Sequence, residues 1–121
     1  MSTNCVGEVS TEVAALLGQN HLARKPIYLG PTNVAHMQSS HPTDYAKYGA
    51  QLGTILASPD YVGVNQKDGS LEYVKEFLVE NEYVKVAVRV SMNGQLFARS
   101  LYILNNNRVR NFIAKGTLIK T

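Results

Sequence analysis

Cysteine is almost missing: the 121 residues hold one, Cys5, so no disulfide can form within the chain. A lone thiol near a terminus fits a reducing, cytoplasmic setting. Long apolar runs are missing too. No stretch approaches the ~20 apolar residues of a membrane span, and the opening Met1-Ser2-Thr3-Asn4 has neither the basic nor the apolar part of a signal peptide. No membrane partner is expected. The signatures GxxxxGK, GxGxxG, GxSxG and HExxH do not occur, which removes the usual support for nucleotide hydrolysis, dinucleotide binding, serine-esterase chemistry and zinc proteolysis. A zinc site needs about four ligands at close spacing, and one cysteine with three scattered histidines does not supply them. Neither a metal nor a cofactor is expected.

What the chain does have is ordinary for a folded protein. Hydrophobic residues make up 45% and charged ones 17%, which is too apolar for a disordered segment. The length fits one domain over residues 1–121, with 1–8 loose. A net charge of +3 gives a mild attraction for polyanions. The charge is unevenly placed. Arg89, Arg99, Arg108, Arg110, Lys115 and Lys120 follow residue 84, whereas Glu72, Glu76, Glu80 and Glu82 stand just before it.

Periodicity gives the elements. Val9, Val13, Leu16 and Leu17 follow helical spacing, with Ser10 to cap and Gly18 to terminate. Pro26-Ile27-Tyr28-Leu29 reads as a short strand before a Gly30-Pro31 turn. Thr32 is placed to cap a brief helix through Met37. Pro42 stops it and starts another, with a stripe of Tyr45, Tyr48, Leu52, Ile55 and Leu56 ending at Ser58-Pro59. Tyr61–Val64, Leu71–Val79, Val84–Val90 and Leu96–Leu104 read as strands, the last two joined at Asn93-Gly94. Asn105-Asn106-Asn107 makes a further turn, and Arg108–Ile113 a final strand. Helices first and strands after predict an α+β domain, with short N-terminal helices packed on an antiparallel meander of four strands or so.

The hairpin fixes the faces. A two-residue turn pairs Met92 with Gln95, Arg89 with Ala98 and Ala87 with Ser100. Arg89, Ser100 and Tyr102 then share a face with Lys85, Ala87 and Ala98, whose small members leave room for a substrate. Val84, Val86, Val88, Val90, Phe97, Leu101 and Ile103 form the opposite, core face. Arg99 interrupts that face. Either it lies at an edge, or a bulge reverses the register beyond it.

Histidines, arginines and hydroxyls can cleave RNA without a metal: a base takes the 2′-OH proton, an acid protonates the leaving oxygen, and a cation offsets the charge on phosphate. His36 and His41 are the acid and base candidates, because histidine exchanges protons near neutral pH. Arg89 and Arg99 are the phosphate candidates, and Ser100 or Tyr102 can orient. Lys85 adds a substrate-binding charge. Taken singly, each histidine is more commonly a surface or capping residue. His36 and His41 lie about 140° apart on a continuous helix, so a shared pocket needs a break near Ser39-Ser40 and Pro42. His21 carries no such role.

Ile55-Leu56-Ala57-Ser58-Pro59-Asp60-Tyr61-Val62, Val86-Ala87-Val88-Arg89-Val90-Ser91, Arg99-Ser100-Leu101-Tyr102 and Ile113-Ala114-Lys115-Gly116 together resemble the phage-associated barnase, EndoU, colicin and RelE-like nuclease domains. The resemblance runs roughly over residues 26–117, with Pro26–Leu29, His36 and His41 also fitting. It implies a helical N-terminal region on a four-stranded antiparallel sheet. It also implies a metal-independent endoribonuclease of a prophage or mobile element, often a toxin or processing module. His36, His41, Arg89, Arg99 and Ser100 fall in the site so implied. The expected partners are RNA, tRNA among the candidates, and a cognate inhibitor protein. The alternative is a module of the same fold without catalysis, binding RNA or a protein through the basic last third and weakened when Arg108 and Arg110 are neutralised. A purely structural domain of a mobile element is the third reading.

Overall fold

The computed structural model describes residues 3–121. The chain runs β1 (Asn4–Glu8), α1 (Thr11–Leu16), β2 (Pro26–Leu29), α2 (Pro31–Ser40), α3 (Pro42–Tyr48) and α4 (Leu52–Ala57). It continues with β3 (Tyr61–Val64), β4 (Leu71–Phe77), β5 (Glu82–Val90), β6 (Leu96–Leu104), α5 (Asn106–Ala114) and β7 (Ile119–Lys120). One sheet holds all these strands, in the order β1-β2-β6-β5-β4-β3-β7.

The α+β class is as expected, and the antiparallel meander is the middle of the sheet, from β3 to β6. The sheet nevertheless has seven strands rather than about four, and it is mixed, because β2 runs parallel to β6. β2 falls where a short strand was expected, whereas the unexpected strands β1 and β7 have five and two residues, too few for alternation to show. Segment 1–8, expected to be loose, supplies β1 over Asn4–Glu8, paired with β2. Met1 and Ser2 lie outside the described residues. Strands therefore do not all follow the helices.

The helical half keeps most of its expected signals. Ser10 accepts a hydrogen bond from the Val13 N–H at 3.1 Å, and Gly18 beyond α1 has φ +66°. α2 starts at Pro31 with Gly30 before it, earlier than the expected Thr32 cap, since proline suits the first helical position. The helix expected after Pro42 is interrupted by a 3₁₀ turn at Gly49–Gln51. Its stripe still works: Tyr48, Leu52, Ile55 and Leu56 are buried with Val84, Val86, Val88 and Leu101 of the sheet.

The largest departure is Arg108–Ile113, which is helix and not the last strand. The Asn105 Oδ1 accepts from the N–H groups of Asn107 (2.9 Å) and Arg108 (3.3 Å), so the asparagine run caps a helix where a turn was expected. Val109, Phe112 and Ile113 then cluster with Val74, Tyr102 and Leu104 on the second face of the sheet. The segment after α5 stays on that face. A Cβ at Gly63 would lie 2.4 Å from the Thr117 carbonyl oxygen, so only glycine permits this approach. Toward the β5–β6 loop the second face is open, with Ala87 and Ser100 half-buried and Arg89 exposed. No helix among the described residues is long and apolar enough to cross a membrane.

Candidate nuclease site

The loop joining β5 and β6 has three residues, Met92, Asn93 and Gly94, and not two. The Ser91 N–H donates to the Gln95 carbonyl at 2.7 Å, the Gly94 N–H to that of Ser91 at 3.0 Å, and Gly94 takes φ +85°. Arg89 therefore faces Phe97, and Val90 faces Leu96, one residue away from the expected register. A bulge restores it: Val88 pairs with Ala98, whereas Ala87 pairs with Ser100 as expected, so Arg99 is the extra residue.

The two irregularities decide which side chains are buried. Leu96 and Ala98, each 0% exposed, fill the core where Phe97 was expected, and Val90 is 44% exposed. Phe97 turns to the second face, beside the Tyr28 ring at 6.0 Å between centroids. Of the two possibilities for Arg99, the bulge is the one observed, and it brings Arg99 into a common cleft with Arg89.

That cleft forms where a strand gives way to a helix. β2 pairs with β6 only at Ile27–Leu96 and Tyr28–Phe97, and the chain then turns through Gly30 into α2. Farther along, Asp44 of α3 closes the β6 edge, its Oδ2 accepting the Ile103 N–H at 3.0 Å. The cleft has a volume of about 420 Å³ and is lined by Gly30, Pro31, Thr32, Asn33 and His36 on one side and by Arg89, Ser91, Phe97 and Arg99 on the other, with Thr3 at its rim.

Positive potential collects in this cleft. Arg89 and Arg99 are exposed, and neither is in an ion pair among the described residues. The N–H groups of Thr32 and Asn33 lie in the first turn of α2, where no intrahelical acceptor is available and the helix dipole is positive. The Asn33 Oδ1 accepts the Gly30 N–H at 2.8 Å and holds the turn. Hydrogen bonds from Ser70 hold the Asp68 carboxyl below its usual range, with the Arg89 charge a lesser contributor.

Lys85, Tyr102 and His41 do not line the cleft. α2 runs on through Ser40, so the break falls at His41 itself, whose ring stacks on Tyr102 with centroids 4.7 Å apart and planes at 22°. The Lys85 Nζ lies 4.9 Å from the Tyr102 centroid and 2.8 Å from the Glu72 Oε2. The Lys85 and Glu72 side chains are 12% and 10% exposed, so this is an ion pair largely out of water. Burial opposes the Lys85 charge, but hydrogen bonds with Glu72 and then Tyr102 outweigh it and leave the lysine pKa above its ordinary value. Lys85 is therefore a cation already held by an internal carboxylate. Ser100 stands between the two groups: it follows Arg99 on β6, and its partner Ala87 lies between Lys85 and Arg89 on β5. Among the described residues, no three His, Cys, Asp or Glu side chains gather as a metal-ligand set.

A family model described as phage-Barnase-EndoU-ColicinE5/D-RelE like nuclease 3 matches residues 4–111. The chain belongs to this nuclease family. The match begins at β1, well before the expected start near residue 26, and ends within α5. Searches of the curated proteins and of the solved structures found no match.

In this phage-type nuclease domain the sequence reading missed Phe97 and the start of α2 as lining of the cleft, and Glu72 as the partner of Lys85. Glu72 carried a usable signal, because a glutamate flanked by Leu71, Tyr73 and Val74, in register with Ala87 and Ser100, must find a cation. The role of Thr32 and Asn33 carried none, because it comes from their backbone.

Proposed function

We propose that the domain is a metal-independent endoribonuclease that holds the scissile phosphate in the cleft between α2 and the β5–β6 hairpin. The observation behind this reading is the meeting of Arg89, Arg99 and His36 at the start of α2. Arg89 and Arg99 grip the phosphate oxygens and offset the charge that grows in the transition state, the task a metal ion performs in other nucleases. His36 takes the 2′-OH proton, and the freed oxygen attacks phosphorus. The bond to the 5′ oxygen breaks, leaving a 2′,3′-cyclic phosphate and a 5′-hydroxyl.

The acid that protonates the leaving oxygen belongs on the far side of phosphorus. Arg99 and Tyr102 are three residues apart on β6, about 10 Å at 3.3 Å per residue. That span suits one phosphodiester over Ser100, with His36 at one end and His41, on Tyr102, at the other. The Ser100 hydroxyl orients the phosphate. In this reading the RNA, tRNA included, is cut in the cytoplasm of a host that carries a prophage or mobile element, and a cognate inhibitor protein restrains the enzyme.

One observation favours a binding module without catalysis: His36 and His41 do not line the same cleft. The two readings separate when the full chain is incubated with tRNA and total RNA in EDTA. The enzyme reading predicts fragments with cyclic phosphate ends, and a rate lowered about 10²-fold or more in His36→Ala. No cleavage across roughly pH 5 to 8, the range in which histidine titrates, or cleavage unchanged in both His36→Ala and His41→Ala, overturns it.

A further inference from the structure

No Asp or Glu follows Glu82 in the chain, whereas seven Arg and Lys do. Two of those seven, Arg89 and Arg99, are in the cleft. Three more, Arg108, Arg110 and Lys115, are exposed on α5 and just past its end, and none is in an ion pair among the described residues. The nuclease reaction as described uses none of them. Asn107 and Asn111 are also exposed, and Asn107 accepts a hydrogen bond from Arg110 at 3.2 Å. The apolar side of α5 is spent on the sheet, so its outer side offers cations and amides without a large apolar residue.

We infer that the outer side of α5 is a second binding site for the RNA backbone, separate from the cleft, and that it makes the domain prefer long chains to short fragments. The inference rests on the reading of RNA as the polymer that the domain binds, whether or not it is cut. Protein interfaces have an apolar core, which this surface lacks. Arg, Lys and Asn side chains are the usual donors to phosphate. α5 packs on the sheet face that carries Arg89 and Ser100, against Leu104. Arg99 and Leu104 are five residues apart on β6, about 17 Å at 3.3 Å per residue. A dinucleotide in the cleft cannot reach that far, and a longer strand can.

The test measures binding of 2′-O-methyl oligoribonucleotides, which lack the attacking hydroxyl and cannot be cut. The probes are a dinucleotide and a strand of ~20 nucleotides, each over a series of salt concentrations. In the double variant Arg108→Gln, Arg110→Gln the salt slope for the longer strand falls by about 1.4, at about 0.7 per phosphate contact on single strands. Binding of the dinucleotide is unchanged, and Arg24→Gln, at the far edge of the sheet, alters neither. Circular dichroism shows that the double variant folds. An unchanged slope, or equal losses for the two probes, overturns the inference. So does failure of the native chain to prefer the longer strand, which would point to an acidic protein as the partner of α5. Because the probes cannot be cut, absence of nuclease activity removes the catalytic reading and leaves this result standing.

Discussion

Arg99→Ala is expected to lower kcat/KM for RNA by about 10²- to 10³-fold, or about 3–4 kcal/mol of transition-state stabilisation, with the midpoint of unfolding little changed. The separation of activity from stability follows from the bulge. Arg99 is the residue left over between Ala98 and Ser100, exposed, and in no ion pair among the described residues, so its side chain holds nothing in the fold. Its loss removes charge only where phosphate charge grows, so kcat falls more than KM rises. Arg99→Lys should recover only part of the rate, because a point charge does not reproduce a two-pronged grip on phosphate. Arg89→Ala behaves in the same way. Steady-state kinetics on one defined RNA checks this, and a loss under about threefold, the scale of a minor contact, removes Arg99 from the site.

Glu72→Ala acts on the fold. It leaves Lys85, whose side chain is only 12% exposed in the intact pair, with no counter-ion, a change that costs about 3 kcal/mol when one member of a buried pair is removed. Urea denaturation measures it. The double variant Glu72→Gln, Lys85→Met should recover most of the loss, because it removes the buried charge along with its partner. The pair also has a pH signature. The folded-state pKa of Lys85 lies above its ordinary 10.5, so the stabilisation is fully present below about 10.5 and is lost as pH rises through the higher folded value. The native chain should lose stability in that alkaline window, and the double variant should lack this part of the fall.

Where the sequence could be read and where it could not has a physical basis. The β3 to β6 meander was legible because Val84, Val86 and Val88 alternate over enough residues for period two to stand out. β1 and β7 were not, because their hydrogen bonds come from distant segments and their residues carry no pattern. The error at α5 is a matter of weight. Val109, Phe112 and Ile113 have helical spacing and Asn105 is a good cap, yet the neighbouring strands made another strand look economical. Around the site, pairing Ala87 with Ser100 was right because two unseen irregularities cancel: the three-residue loop shifts the register by one residue and the bulge at Arg99 shifts it back. Between them, Phe97 and Ala98 were put on the wrong faces and Arg89, on the right face, was given the wrong partner. Arg99 in a core-facing position was itself the sign of the bulge, since an unpaired charge is not tolerated there.

The central claim is that the cleft at the start of α2 binds the phosphodiester. Titration of a 2′-O-methyl dinucleotide into the isotope-labelled chain, followed by amide and guanidinium NMR signals, tests it most directly. The prediction is that the Thr32 and Asn33 amides and the Arg89 and Arg99 Nε–H signals shift together along one binding curve. Shifts confined to other surfaces, with those four signals unmoved, would contradict it.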